Sequence, residues 1–153
     1  MRISRRWGPA VLVTRGERTF YEDGLYLADS SLFDVFSFPL VQGDPRTALN
    51  HPYSAVLTKR MADKYFPNEA PIGQTIQVEA YGELRDLEVT GVATNPPSTS
   101  HFQFDVLVSF STLRSTMPSP EDLDSWFHVS HYTYLLLGPS ADPAALERAL
   151  PAF

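Results

Sequence analysis

From Thr75 to Ala80 apolar and polar side chains alternate strictly. Ile76, Val78 and Ala80 fall on one side, Thr75, Gln77 and Glu79 on the other. The period of two resumes at Leu87-Glu88-Val89-Thr90, after a reversal at Tyr81-Gly82-Glu83. This pattern predicts an antiparallel hairpin with one buried face. Residues 59–66 follow a helical period instead. Met61, Ala62, Tyr65 and Phe66 share one side, Lys59, Arg60, Asp63 and Lys64 the other, and Pro67 ends the run. A shorter helix is predicted after Asp29 or Ser30 as cap, with Leu32, Phe33, Val35 and Phe36 turned inward. Asp44-Pro45 and Asp142-Pro143 each place a capping residue before a proline at the first helical position, which predicts helices over 46–50 and 144–150.

Further strands are predicted over 11–13 and 19–21, around the turn Arg15-Gly16-Glu17, and over 25–27, 105–110 and 131–137. Phe38-Pro39-Leu40-Val41 reads as an edge strand because of its proline. Residues 111–130 form a polar stretch punctuated by prolines. Together these elements predict an α+β protein with mixed sheet and short helices.

Composition narrows the function classes. The chain of 153 residues is long enough for one domain with a real core. Its net charge of -6 argues against a nucleic-acid partner, which would need clustered lysine and arginine. Arg2, Arg5 and Arg6 make the densest basic stretch and are expected to be a frayed, solvated terminus. There is no cysteine, hence no disulfide, thiolate metal site or cysteine nucleophile. No apolar run approaches the roughly 20 residues that a bilayer crossing needs.

Candidate chemistry is sparse. His128 and His131 have a spacing that suits two metal ligands on a helix, but Tyr132-Thr133-Tyr134 favours a strand, which sends them to opposite faces. His101, with Ser100 beside it and Asp105 four residues on, supplies the residue types of acyl transfer. The nucleophile elbow Gly-x-Ser-x-Gly is missing, and prolines 96 and 97 make the 95–101 loop a rigid turn whose Asn95, Ser and Thr side chains cap their neighbours. The carboxylates Glu22, Asp23, Asp86, Glu88, Glu121, Asp122 and Asp124 form no pair with a stated role. No glycine-rich phosphate loop occurs, so no nucleotide or other cofactor is expected. Phe33, Phe36, Phe38, Tyr65 and Phe66 match inward helix faces and are expected in the core. Trp126 and Phe127 lie in a polar segment. If exposed, they mark an interaction surface together with Asn95 and His101.

The order of short motifs carries more than any one of them. Ser30-Ser31-Leu32-Phe33-Asp34-Val35-Phe36 is followed by Gly43-Asp44-Pro45, Val56-Leu57-Thr58, Lys64-Tyr65-Phe66-Pro67 and Pro71-Ile72-Gly73. Val89-Thr90-Gly91-Val92, Pro96-Pro97 and Ser100-His101-Phe102 come next, then Phe104-Asp105-Val106-Leu107. This series resembles the MacB-like periplasmic core domain of FtsX-type ABC transporter permeases, over residues 9–150. The chain departs from it at Pro67-Asn68, where the family often has glycine.

The resemblance implies a two-lobed, non-catalytic extracytoplasmic domain between two membrane helices of a permease. Here it would be a single domain over residues 1–153, truncated at both ends, with the flanking helices absent. It implies as partners the rest of the permease, a separate cytoplasmic ATPase, a permease dimer mate and a periplasmic adaptor. Two other classes stay open from the residues alone. One is a free-standing extracytoplasmic module for peptide or carbohydrate. The other is a small hydrolase built on His101 and Asp105.

Overall fold

The structure is a computed structural model and describes residues 1–5, 7–117, 119 and 131–150. Among these, ten strands join one mixed sheet. In chain order the elements are β1 (Arg2–Ser4), β2 (Val11–Arg15), β3 (Arg18–Glu22), β4 (Leu25–Ala28), α1 (Leu32–Val35), β5 (Leu40–Gln42) and β6 (Ser54–Thr58). After these come α2 (Lys59–Tyr65), β7 (Thr75–Ala80), β8 (Glu83–Ala93), β9 (Val106–Ser109), α3 (Ser111–Thr116), β10 (His131–Thr133) and α4 (Pro143–Ala149). Across the sheet the order is β10-β1-β4-β9-β6-β8-β7-β2-β3, with β5 on the C-terminal end of β8. The pairs β4–β9 and β6–β8 are parallel; the others are antiparallel. The fold is therefore the mixed α+β arrangement that the pattern predicts.

The two middle strands are buried on both sides. In β6, Ala55 and Leu57 face one core and Val56 the other; in β9, Val106 and Val108 face the first and Leu107 the second. The first core lies under α2 and α3. It takes Met61, Ala62, Tyr65, Phe66 and Leu113 from the helices and their ends, and Ile76, Val78, Leu87, Val11 and Val13 from the hairpins. The second gathers Leu32, Phe38, Ala48, Leu49, Phe102 and Phe104. Its rings pack at 5.2 Å between Phe38 and Phe104 and at 5.0 Å between Tyr26 and Phe102, spacings at which aromatic pairs attract.

β8 serves both halves of the sheet because it changes face midway. Its register against β6 shifts between Val89 and Gly91, so Val89 and Val92 both face the first core. The extra residue, Thr90, donates its hydroxyl to the Ala48 carbonyl at 2.6 Å. Gly43, just before Asp44, turns the chain there with φ of 90°, and a Cβ on it would stand 2.5 Å from the Thr90 carbonyl oxygen. Only glycine satisfies both conditions.

Several elements differ from the sequence expectation. Of the N-terminal basic stretch, Arg6 lies outside the described residues, and Arg2 is not frayed: it lies in β1, and both its backbone N–H (2.7 Å) and its guanidinium (3.1 Å) reach the Asp29 carboxylate. Asp29 is thus engaged across the sheet and does not cap α1. The cap position is Ser31, with no side-chain capping bond. Asp44 does accept from the Arg46 N–H at 2.9 Å, but the chain after it makes one helical turn and no longer helix. The polar stretch 111–130 opens with α3, and residues 118 and 120–130 lie outside the described residues. The predicted strand over 131–137 stops at Thr133, and Leu135 to Leu137 are exposed. The helix predicted over 59–66 is met as α2, capped by Thr58, which accepts from the Met61 N–H at 3.3 Å, and the cap expected at Asp142 is met, accepting from the Ala144 N–H at 2.9 Å.

Candidate interaction surface

Asn95 stands two residues past the end of β8. Its side-chain oxygen accepts the backbone N–H of Arg60 in the first turn of α2, at 3.0 Å. Thr58 caps the same turn from within the helix start. Pro96 and Pro97 then fix the backbone, and the chain reverses through a Ser100 N–H to Pro97 carbonyl bond of 2.9 Å. Gln103 clamps this turn by donating its amide to the carbonyls of Pro97 (2.7 Å) and Ser100 (2.9 Å). The loop is the rigid, self-capped segment that its composition predicts.

Beside Asn95 opens a cavity of about 300 Å³ bordered by Arg5, Asp23, Tyr26, Arg60 and Asp105. Buried Asp105 pairs with the mostly exposed Arg60, and the two are joined by a short charge-assisted hydrogen bond. That hydrogen bond, with the carboxylate's charge, raises the Arg60 guanidinium above its ordinary value. Gly24 lets the carboxylate in: a Cβ there would stand 2.6 Å from Asp105 Oδ2 and 2.9 Å from its Cβ. Arg5 donates to the Pro9 carbonyl at 2.6 Å and lies 5.2 Å from the centre of the Tyr26 ring. The cavity thus offers two guanidinium groups and two carboxylates, and among the described residues no hydroxyl nucleophile there is held by a base. Such a lining can offer charge and hydrogen bonds to a polar group.

His101 belongs to a different neighbourhood. It is exposed, and its ring lies 6.0 Å from Phe36 and 5.9 Å from Tyr134 at the rim of the aromatic core. Ser100 directs its hydroxyl to the Phe102 carbonyl at 3.0 Å, and Asp105 is committed to Arg60. The three residue types needed for acyl transfer are therefore adjacent in sequence without converging, and the hydrolase reading has no constellation to stand on. Trp126, Phe127 and His128 lie outside the described residues. Asn95 and His101 are the two predicted surface residues that the structure places, and it places them apart.

Sequence reasoning missed Arg5, Tyr26 and Arg60 at the cavity. Asn95 was the one legible signal: a capping residue type between a strand end and two prolines. A second polar clasp was also unforeseen. Glu22, buried at the end of β3, accepts from the Tyr65 hydroxyl and from Lys64 Nζ, each at 2.6 Å, and Lys64 lies 4.2 Å from the Phe20 ring centre. Burial and the bond to Glu22 push the Tyr65 phenol well above its usual value. The two clasps hold α2 at both ends, through Arg60 at its start and Lys64 and Tyr65 at its finish.

The architecture is shared with solved domains of permease and transporter proteins. A domain assigned to a permease protein from Porphyromonas gingivalis superposes with a TM-score of 0.76 at 22% identity, over 99% of this chain and 66% of that one. The periplasmic region of MacB from Actinobacillus actinomycetemcomitans gives 0.65 at 18% identity, over 97% and 63%. The extracellular domain of the ABC-type transporter YknZ from Gram-positive bacteria gives 0.53 at 19% identity, over 75% and 57%. The chain spans about two thirds of the length of the first two. At these identities the likeness is one of fold. The family is fixed separately: residues 3–153 match the model of the MacB-like periplasmic core domain, and the chain belongs to that family. A comparison with curated protein sequences gives no match.

Proposed function

We propose that this chain is a non-catalytic, extracytoplasmic domain of an ABC transporter permease that relays ATP-driven motion outward, to the export or extraction of a substrate or to a periplasmic partner. The observation that supports this most is the family match across residues 3–153, on a fold shared with MacB and YknZ domains. In this reading the chain forms one domain and is part of a membrane protein. No helix among the described residues is long and apolar enough to cross a bilayer, so the anchoring helices would flank it. Its partners are the rest of the permease, a cytoplasmic ATPase, a dimer mate and a periplasmic adaptor. Trp126, Phe127, Asn95 and His101 are its candidate contact residues.

The geometry suits a relay more than a reaction. α2 is tied at one end to Asp105, at the start of the strand β9, and at the other to the β2–β3 hairpin through Glu22. A push on the hairpin therefore reaches the middle of the sheet through charge-assisted bonds to buried carboxylates. The test is to read the coding sequence on both sides of this chain. Apolar runs of about 20 residues on each side are expected; wholly soluble flanks would refute the permease reading.

The cavity beside Asn95 favours a second reading, a free-standing module for peptide or carbohydrate. Its lining is polar and its volume, about 300 Å³, fits a few residues or one sugar. Soluble flanks, with an Asn95→Ala change that abolishes binding of a defined peptide or sugar panel, would favour it.

A further inference from the structure

One face of the β3-β2-β7-β8 part of the sheet lies against no other described element. The inward positions there are Val11 and Val13, Ile76, Val78 and Ala80, and Leu87. The outward ones are Leu12 and Thr14, Thr19 and Tyr21, Thr75, Gln77 and Glu79, and Leu84, Asp86 and Glu88. The registers align these into rows. Tyr21 pairs with Leu12, and Glu79 with Leu84. The Val13–Val78 and Thr14–Gln77 pairs place Leu12 opposite Glu79. Tyr21, Leu12, Glu79 and Leu84 therefore form a single row across four strands, about 14 Å long at the usual strand spacing. Tyr21 is 75% and Leu84 60% exposed. The next row is polar, Thr19, Thr14, Gln77 and Asp86, with the Gln77 amide donating to Asp86 at 2.8 Å. Glu88 and Thr75 come after it.

A wet sheet face needs no large apolar side chains, yet this one sets three in one row. Its outward positions also carry three carboxylates and no lysine or arginine. We infer that this face docks a protein partner whose surface presents lysine or arginine beside aliphatic side chains. Charge complementarity selects that occupant. A long basic side chain can lay its methylene stem on Leu12 and Leu84 while its head meets Glu79, Asp86 or Glu88. An anionic membrane surface and a second copy of the same acidic face are both repelled. The inference rests on the sheet face alone, whether or not the chain sits in a permease.

The test uses the unmodified chain and a soluble peptide of alternating lysine and leucine, followed by amide shifts in two-dimensional NMR. An alternating lysine–serine peptide and phosphatidylglycerol vesicles are the comparisons. Shifts should concentrate on the outward rows of β2, β3, β7 and β8. The lysine–serine peptide should bind roughly tenfold more weakly, since the apolar row then has nothing to cover. The Tyr21→Ser/Leu84→Ser variant keeps the net charge and should lose a similar factor, whereas Glu79→Lys/Asp86→Lys should lose measurable binding. Shifts spread over the whole surface, or equal binding of both peptides, would mean general attraction of an acidic protein for a cation and would overturn the proposal. So would unchanged affinity in the serine variant, preference for the vesicles, or self-association through these rows.

Discussion

The two halves of the sheet are built on opposite terms. In the middle, β4, β9 and β6 are covered on both faces, and their residues read as continuous apolar runs such as Ala55-Val56-Leu57 and Val106-Leu107-Val108. At the far end, β2, β7 and the first half of β8 are covered on one face only, and burial alternates along β7 and through the first core positions of β2 and β8, while β3 is an exposed edge. The difference shows where the chain can be altered without cost and where it can meet something else. A side chain in the middle has no outward direction. One in the hairpins has an outward direction at every second position, and there the surface carries Tyr21, Leu12 and Leu84.

The contrast is sharpest at Leu107, fully buried in the aromatic-side core. Leu107→Ala should destabilise by about 2–5 kcal/mol, read from the shift of a urea unfolding curve. A loss no larger than that of an outward hairpin residue would show that the middle is not doubly packed. Next comes the seam at which the chain entering β4 admits Asp105. Gly24→Ala places a methyl group against a buried carboxylate and should cost about 1–3 kcal/mol; thermal unfolding would detect it, and an unchanged midpoint would mean that Asp105 moves freely.

The hairpin clasp gives a smaller effect with a pH signature. Tyr65 keeps its phenolic proton in the folded chain because it is buried against Glu22, and its folded pKa is raised. Above about pH 10 the unfolded chain releases that proton while the folded one holds it, so stability falls as pH rises, by up to about 1.4 kcal/mol per pH unit. Unfolding curves between about pH 9 and 11 should show this fall, and Tyr65→Phe should flatten it. Equal slopes in the two proteins would leave Tyr65 with no part in the pH dependence. The smallest effect belongs to the open face: Leu84→Ser should change stability by less than about 0.5 kcal/mol. A larger loss would mean that the row is packed and not available.

Legibility in the sequence divides along the same line. The 75–90 hairpin and the helix after Thr58 could be read because one face of each meets water, and the pattern records which. The cap at Asp142 was read from two residues. The doubly buried strands carry no alternation, so neither their parallel pairing nor their order is written locally. Asp29 looked like a helix cap because its preference for that role is local, whereas Arg2, its real partner, is 27 residues away. In sequence Asp105 stands near His101, but its charge is satisfied by Arg60, 45 residues earlier. Leu135-Leu136-Leu137 read as strand on propensity alone; in the structure β10 ends before it.

If this chain lies outside the cytoplasm as part of a permease, a thiol on its surface meets reagents that cannot enter the cell. This chain has no cysteine of its own, so the unsubstituted full-length protein serves as the control. Glu17 sits exposed at the tip of the β2–β3 hairpin, and Glu17→Cys introduces a single thiol into this chain without touching either core. Intact cells producing the full-length protein would be treated with a membrane-impermeant maleimide. Labelling of that thiol without lysis is the expected result; labelling only after the cells are broken would contradict an extracytoplasmic position.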